Sequence, residues 1–160
     1  MNKWEIRGLS LSREISYWSK DPSTKVGALI LDQNHRVVSF GYNGYPKGCC
    51  DDGMENRDIK LAKIIHAEQN AILFAKRDLT GCTMYVWPMA PCSRCAGIII
   101  QSGITKIVTI EPSEDLYARW GKDIEIAFSM YQEREVKLIQ FSKALFFEKY
   151  TENNIESPVF

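Results

Sequence analysis

Two short segments, His66-Ala67-Glu68 and Pro91-Cys92-Ser93-Arg94-Cys95, constrain this chain more than any other feature. They hold a histidine, two cysteines and a carboxylate that must converge from separate stretches if they act together. Thiolates and imidazole nitrogens are the common ligands of zinc; a closed structural site takes four protein ligands, whereas a catalytic one keeps three and leaves a place for water. The remaining histidine, His35, lies far upstream between two strand-like runs, so no fourth protein ligand is evident. A fold that satisfies this pattern brings two helix starts to one point.

The local sequence agrees. Cys92 and Cys95 stand at one-turn spacing, which makes their side chains neighbours on a helix. Pro91 suits the first turn of a helix, where a missing N–H costs little. The partial positive charge of a helix N-terminus favours thiolates over thiols. His66 opens a run to Ala75 rich in helix formers. Zinc held by His66, Cys92 and Cys95 lowers the pKa of its water toward neutrality. Glu68 is too close to His66 in sequence for a comfortable fourth ligand. It is placed to take that water's proton and return it to a ring nitrogen and a leaving amine, which is general acid–base work. His-x-Glu followed by Pro-Cys-x-x-Cys is the signature of zinc deaminases acting on nucleobases. A lone Cys-x-x-Cys also fits a redox pair or half of a structural zinc site; the missing second pair disfavours both.

A chain of 160 residues suits one domain, expected over residues 1–150 with a polar tail over 151–160 that frays or packs on a neighbouring subunit. Lys plus Arg and Asp plus Glu balance at 20 each. Without a broad positive field, a polynucleotide substrate is disfavoured, although a local basic patch is not excluded. No run of apolar residues is long enough to cross a bilayer, and no signal-peptide pattern opens the chain. Five cysteines, two of them in the metal motif, point to a reducing compartment, the cytoplasm of a cell or of a virus's host. Cys82 reads as a small core residue. Cys49 and Cys50 lie in a loop with no histidine nearby in sequence.

Periodicity predicts an amphipathic helix over residues 3–19, with Trp4, Leu11, Ile15 and Trp18 on its apolar stripe, ended by Asp21-Pro22. Val26–Leu31 and Arg36–Phe40 read as a hairpin, followed by a Gly-rich loop from Gly41 through Gly53. The His66 helix, a strand at Thr83–Trp87, the Cys92 helix ending near Gly103, and a strand at Lys106–Ile110 come next. Leu116, Trp120, Ile124, Ala127 and Tyr131 form a helical stripe, which favours core packing for Trp120 over stacking on a base, and Val136–Phe141 is a last strand. Alternating strands and helices imply parallel crossovers; with the antiparallel hairpin, the sheet is mixed.

These segments carry a resemblance. Ser19-Lys20-Asp21-Pro22-Ser23-Thr24-Lys25-Val26-Gly27-Ala28, Gly41-Tyr42-Asn43-Gly44-Tyr45-Pro46-Lys47-Gly48-Cys49, the His66 and Cys92 motifs, Gly81-Cys82-Thr83-Met84-Tyr85-Val86 and Gln101-Ser102-Gly103-Ile104 cover roughly residues 11–110. Over them the chain resembles the deoxycytidylate (dCMP) deaminase branch of the cytidine deaminase-like superfamily. The resemblance implies a three-layer α/β/α sandwich around a five-stranded mixed sheet and hydrolysis of dCMP to dUMP and ammonia, feeding thymidylate synthesis. It implies zinc on His66, Cys92 and Cys95, proton transfer by Glu68, the Ala67 N–H on the pyrimidine carbonyl, and Asn43 on the deoxyribose. It also implies a homo-oligomer, often a hexamer, activated by dCTP with magnesium and inhibited by dTTP, with Phe74 at an effector contact. Lys76 and Arg77 are then candidates for its phosphates, and, following Ile72 and Leu73, Phe74 also fits a core or subunit-contact role. Members with a second zinc place a histidine where this chain has Asn70, so one zinc is expected.

Independently of the resemblance, the Asn43 amide offers the donor and acceptor that a sugar needs. Gly41 and Gly44 are expected to let the backbone approach a ligand, although Asn43-Gly44 also fits a plain turn. Lys20, Lys25, Lys47, Arg94, Arg119 and Lys122 are the candidate phosphate contacts. A tRNA adenosine deaminase shares the zinc motifs but leaves Gly41–Gly48 without a role. A non-catalytic nucleotide-binding homologue is disfavoured by the intact Glu68.

Overall fold

The computed structural model describes residues 1–155. In chain order the elements are α1 (Lys3–Ser16), β1 (Gly27–Leu31), β2 (Val37–Tyr42), α2 (Arg57–Lys63), α3 (Ala67–Ala75), β3 (Thr83–Trp87), α4 (Ser93–Gln101), β4 (Lys106–Ile110), α5 (Glu114–Glu133), β5 (Lys137–Phe141) and α6 (Lys143–Ile155). Five strands form one sheet in the order β2-β1-β3-β4-β5. β1 pairs antiparallel with both β2 and β3, whereas β3, β4 and β5 run parallel. The sheet is therefore mixed and five-stranded, as anticipated.

Alternation along the strands divides the core in two. Ala28, Ile30, Met84, Val86 and Ile107 meet Ala67 and Ala71 of α3, Ala96 and Ile99 of α4, and Ala127 and Tyr131 of α5. On the opposite face Leu29, Leu31, Tyr85, Val108 and Ile110 meet Leu9 and Ile15 of α1 and Phe146 of α6. The result is three layers, with α1 and α6 on one side and α3, α4 and α5 on the other. β1 is buried along its whole length, so it reads as an unbroken apolar run rather than an alternating one.

Three sequence expectations change here. The first helix stops at Ser16, and its buried face is Ile6, Leu9 and Ile15; Trp4, Leu11 and Trp18 are 36%, 46% and 57% exposed. Trp4 instead stacks on His35 at 4.3 Å, and Trp18 packs edge-on against Phe40. No periodic apolar stripe announces α2, which forms inside the long connection after β2. α6 takes in residues 143–155, so the first five residues of the anticipated tail continue a helix. Residues 156–160 of that tail lie outside the described residues.

The connection between β2 and α3 is closed at its base. Gly44 N–H donates to Ile65 O at 3.1 Å, and Ile65 N–H returns to Gly44 O at 2.9 Å. This two-bond clip sets His66 beside the end of β2.

Candidate active site

His66 and Cys92 occupy equivalent positions: each is the N-cap of the helix that follows it, α3 and α4 respectively. Pro91 therefore lies one residue outside α4, not in its first turn. The Gln69 side chain accepts the His66 backbone N–H at 3.0 Å, which fixes the entry into α3. The start of α4 is held by Asp123 of α5, which accepts from Ser93 N at 2.8 Å and Ser93 Oγ at 2.6 Å.

These two helix starts bring the predicted ligands together. His66 Nδ1 lies 3.4 Å from Cys92 Sγ and 3.4 Å from Cys95 Sγ. All three candidate ligand atoms fall within 4.8 Å of one another. Tetrahedral zinc with ordinary bond lengths separates a nitrogen and a sulfur ligand by about 3.5 Å, so the donor set fits that ion.

The local charges are tuned by contact. The hydrogen bond from the Cys95 thiol is the largest cause drawing Cys92 down to about 4; His66 adds to it, against the opposing effect of burial. His66 is raised to about 9, first by its hydrogen bond to Cys92. The Cys95 thiol is pushed up by the neighbouring Cys92 and by burial. A thiolate stabilised by two donors is the state a soft cation replaces those donors to bind. Glu68, in the first turn of α3, is 4% exposed. Burial raises its carboxyl pKa, and His66 opposes that shift.

His66, Ala67, Glu68 and Cys92 line a cavity of about 470 Å³. Ala67 is the first residue of α3, so its N–H has no acceptor within the helix. Asn43 lines the same cavity and is buried. Its amide is committed: Oδ1 accepts from Val26 N at 2.8 Å, and Nδ2 donates to Thr24 O at 2.9 Å and Asp21 Oδ2 at 3.2 Å. Both donors are thus spent within the protein, and only a lone pair on Oδ1 remains for a ligand.

Of the candidate phosphate contacts, Arg119 lines the cavity; Lys20, Lys25, Lys47, Arg94 and Lys122 do not. Arg57 and Lys60 also line it. Sequence reasoning missed both because nothing in their spacing marks α2 as a wall of this site. Trp120 belongs to the lining too, half-buried, whereas Leu116, Ile124, Ala127 and Tyr131 of its stripe are buried. Phe74 lies outside the cavity and is 61% exposed on α3. Gly41 approaches a helix rather than a ligand: a Cβ there would stand 2.3 Å from Ala67 O. At Gly44 a Cβ would meet nothing.

Residues 2–111 match the family described as the cytidine and deoxycytidylate deaminase zinc-binding region. An uncharacterized deaminase of Aliivibrio fischeri is 46% identical over 139 residues, covering 86% of this chain and 93% of the relative. The deoxycytidylate deaminase of Mus musculus is 45% identical over 98 residues, covering 56% of this chain; this chain spans about half, 54%, of that relative's length. The deoxycytidylate deaminase of Enterobacteria phage T4 is 35% identical, covering 70% of this chain and 80% of its own. A dCMP deaminase of cyanophage S-TIM5, solved with dCMP and dUMP, shares the fold at a TM-score of 0.65 and 22% identity, covering 88% of this chain and 99% of that one.

Proposed function

This chain belongs to the cytidine and deoxycytidylate deaminase zinc-binding family, and from that premise we propose that it hydrolyses dCMP to dUMP and ammonia. The observation that carries the reading is the convergence of His66, Cys92 and Cys95 on one point, beside the buried Glu68, in a cavity that also holds Asn43. The relatives named deoxycytidylate deaminases support the choice of substrate.

His66, Cys92 and Cys95 would hold zinc, which when bound makes water more acidic near neutral pH. The remaining work falls to the chain. Glu68 takes a proton from the attacking water and delivers it to the ring nitrogen next to the reacting carbon. A second proton passes through Glu68 to the amino group, which leaves as ammonia while the ring carbonyl forms. The burial that raises the Glu68 pKa suits a group that must both accept and release a proton. The Ala67 N–H meets the pyrimidine carbonyl. Asn43, with both donors spent, accepts a hydrogen bond from a deoxyribose hydroxyl through Oδ1.

Regulation belongs to the same proposal: dCTP with magnesium activates and dTTP inhibits, in a homo-oligomer that is a hexamer, with Phe74 at the effector contact. The exposure of Phe74 and its neighbour Leu73 supports a contact beyond the single chain. All five cysteines are free, which fits a cytoplasmic enzyme. Among the described residues no helix is long and apolar enough to cross a membrane.

The test is a substrate panel of dCMP, dCTP, deoxycytidine and adenosine-containing RNA on the zinc-loaded protein, following ammonia and ultraviolet absorbance, with and without dCTP–magnesium. Turnover of dCMP above the others is expected. No turnover of dCMP under either condition sinks the reading, and dCMP curves indifferent to dCTP and dTTP remove its regulatory part.

A further inference from the structure

The cavity contains a buried cation that no motif announces. Lys60 of α2 is 8% exposed, and its Nζ donates to Asp21 Oδ1 at 3.0 Å and to Ser23 Oγ at 2.8 Å. Asp21 is saturated. Its Oδ1 also accepts from Ser23 N at 2.7 Å and Thr24 N at 3.1 Å, and its Oδ2 accepts from Asn43 Nδ2. A carboxylate receiving this many donors has little negative field left to repel an anion.

The consequence falls on Ser23. Its oxygen accepts from the Lys60 ammonium, so its own proton is left to be donated outward, and Ser23 is exposed and lines the cavity. Arg57, the first residue of α2, lines the cavity as well and has no ion-pair partner among the described residues. A guanidinium fork matches phosphate geometry. Among the acidic residues of the lining, Asp21 is spent on its donors and Glu68 lies beside His66. Lys60 is balanced by Asp21 and Arg119 by Asp115, so among the described residues Arg57 is the cation of the lining without an ion pair, with Glu55 the remaining carboxylate.

We propose that Ser23 and Arg57, positioned by Lys60, form the subsite that takes the substrate's phosphate, so that α2 sets a preference for nucleotide over nucleoside. The inference rests on reading the site as that of a cytosine-nucleotide deaminase. Lys60 is the positioning residue: it holds α2 against the 21–24 loop and turns the Ser23 hydroxyl toward the anion. Ser23 and Arg57 make the contacts.

The experiment is calorimetric binding of dUMP and of deoxyuridine to the zinc-loaded protein, its Ser23→Ala and Arg57→Gln variants, and Lys60→Met. The parent should bind dUMP more tightly than deoxyuridine, and each variant should narrow that ratio by about tenfold, the scale of one hydrogen bond to a charged group. Should Lys60→Met fail to fold by circular dichroism, Ser23→Ala and Arg57→Gln decide alone, since both positions are exposed. A parent that binds the two ligands equally overturns the proposal. So do variants that keep the parental ratio, or that weaken both ligands to the same degree. Failure of the parent to turn over dCMP counts against the reaction itself. Turnover of dCMP with unaltered binding ratios counts against this subsite alone.

Discussion

Gly41 lies so close beneath the first residue of α3 that a Cβ on it would stand 2.3 Å from Ala67 O and 2.5 Å from Ala71 N. Helix α3 can rest on β2 only because that side chain is missing, and α3 carries both His66 at its cap and Glu68 in its first turn. Gly41→Ala should force the helix off the strand. Overpacking of this kind costs about 1–3 kcal/mol. For a chain of this size it should lower Tm by several degrees, and zinc affinity should fall with it, measured by thermal unfolding and chelator competition.

Removing one ligand should remove the ion. Cys92→Ser and His66→Ala should each purify with most of the zinc gone and without turnover, read by elemental analysis alongside the dCMP assay. Stripping the parent with a chelator should lower its Tm, and added zinc should restore it, because a ligand bound only by the folded state stabilises that state. A parent that purifies free of metal under non-chelating conditions contradicts the assignment.

Glu68→Gln separates holding the metal from moving protons. Glutamine keeps the shape of the side chain but cannot carry the proton. The variant should retain zinc and lose about a hundred- to ten-thousandfold in turnover. Near-parental turnover would remove Glu68 from the proton path.

Alkaline pH should act through Tyr85, which is buried on the face covered by α1 and pushed up to about 12, chiefly by burial. The phenol stays neutral in the fold while the unfolded chain loses its proton above about 10. Stability is therefore unaffected below that value. It falls as pH rises through the unfolded pKa, by up to about 1.4 kcal/mol per pH unit, until the folded pKa is passed. Tyr85→Phe should flatten that decline in urea midpoints. Tyr131, also pushed up by burial, leaves a residual slope. An unchanged slope in the variant would exclude Tyr85 as its source.

What the sequence discloses follows from how local the cause is. His66, Glu68, Cys92 and Cys95 are legible because each half of the constellation sits within one helical turn, and the chemistry of the residue types is specific. The strands β1, β3, β4 and β5 are legible from their apolar runs. Lys60 is not, because its meaning depends on Asp21, distant in sequence and brought close only by the packing of α2. Trp4 and Trp18 mislead for the opposite reason. Trp18 lies beyond the end of the helix at Ser16, and of the expected stripe only Ile15 meets the sheet, together with Ile6 and Leu9. Gly41 suggests a ligand when the near neighbour is a helix backbone; a glycine reports crowding without naming what crowds it.

The pair of backbone bonds between Gly44 and Ile65 has a consequence for redesign. The segment between them leaves the fold and re-enters it at adjacent points, so its length can change without moving either point. Exchanging that segment, α2 included, should keep His66 in place while replacing the cavity wall that Arg57, Lys60 and Leu61 now form.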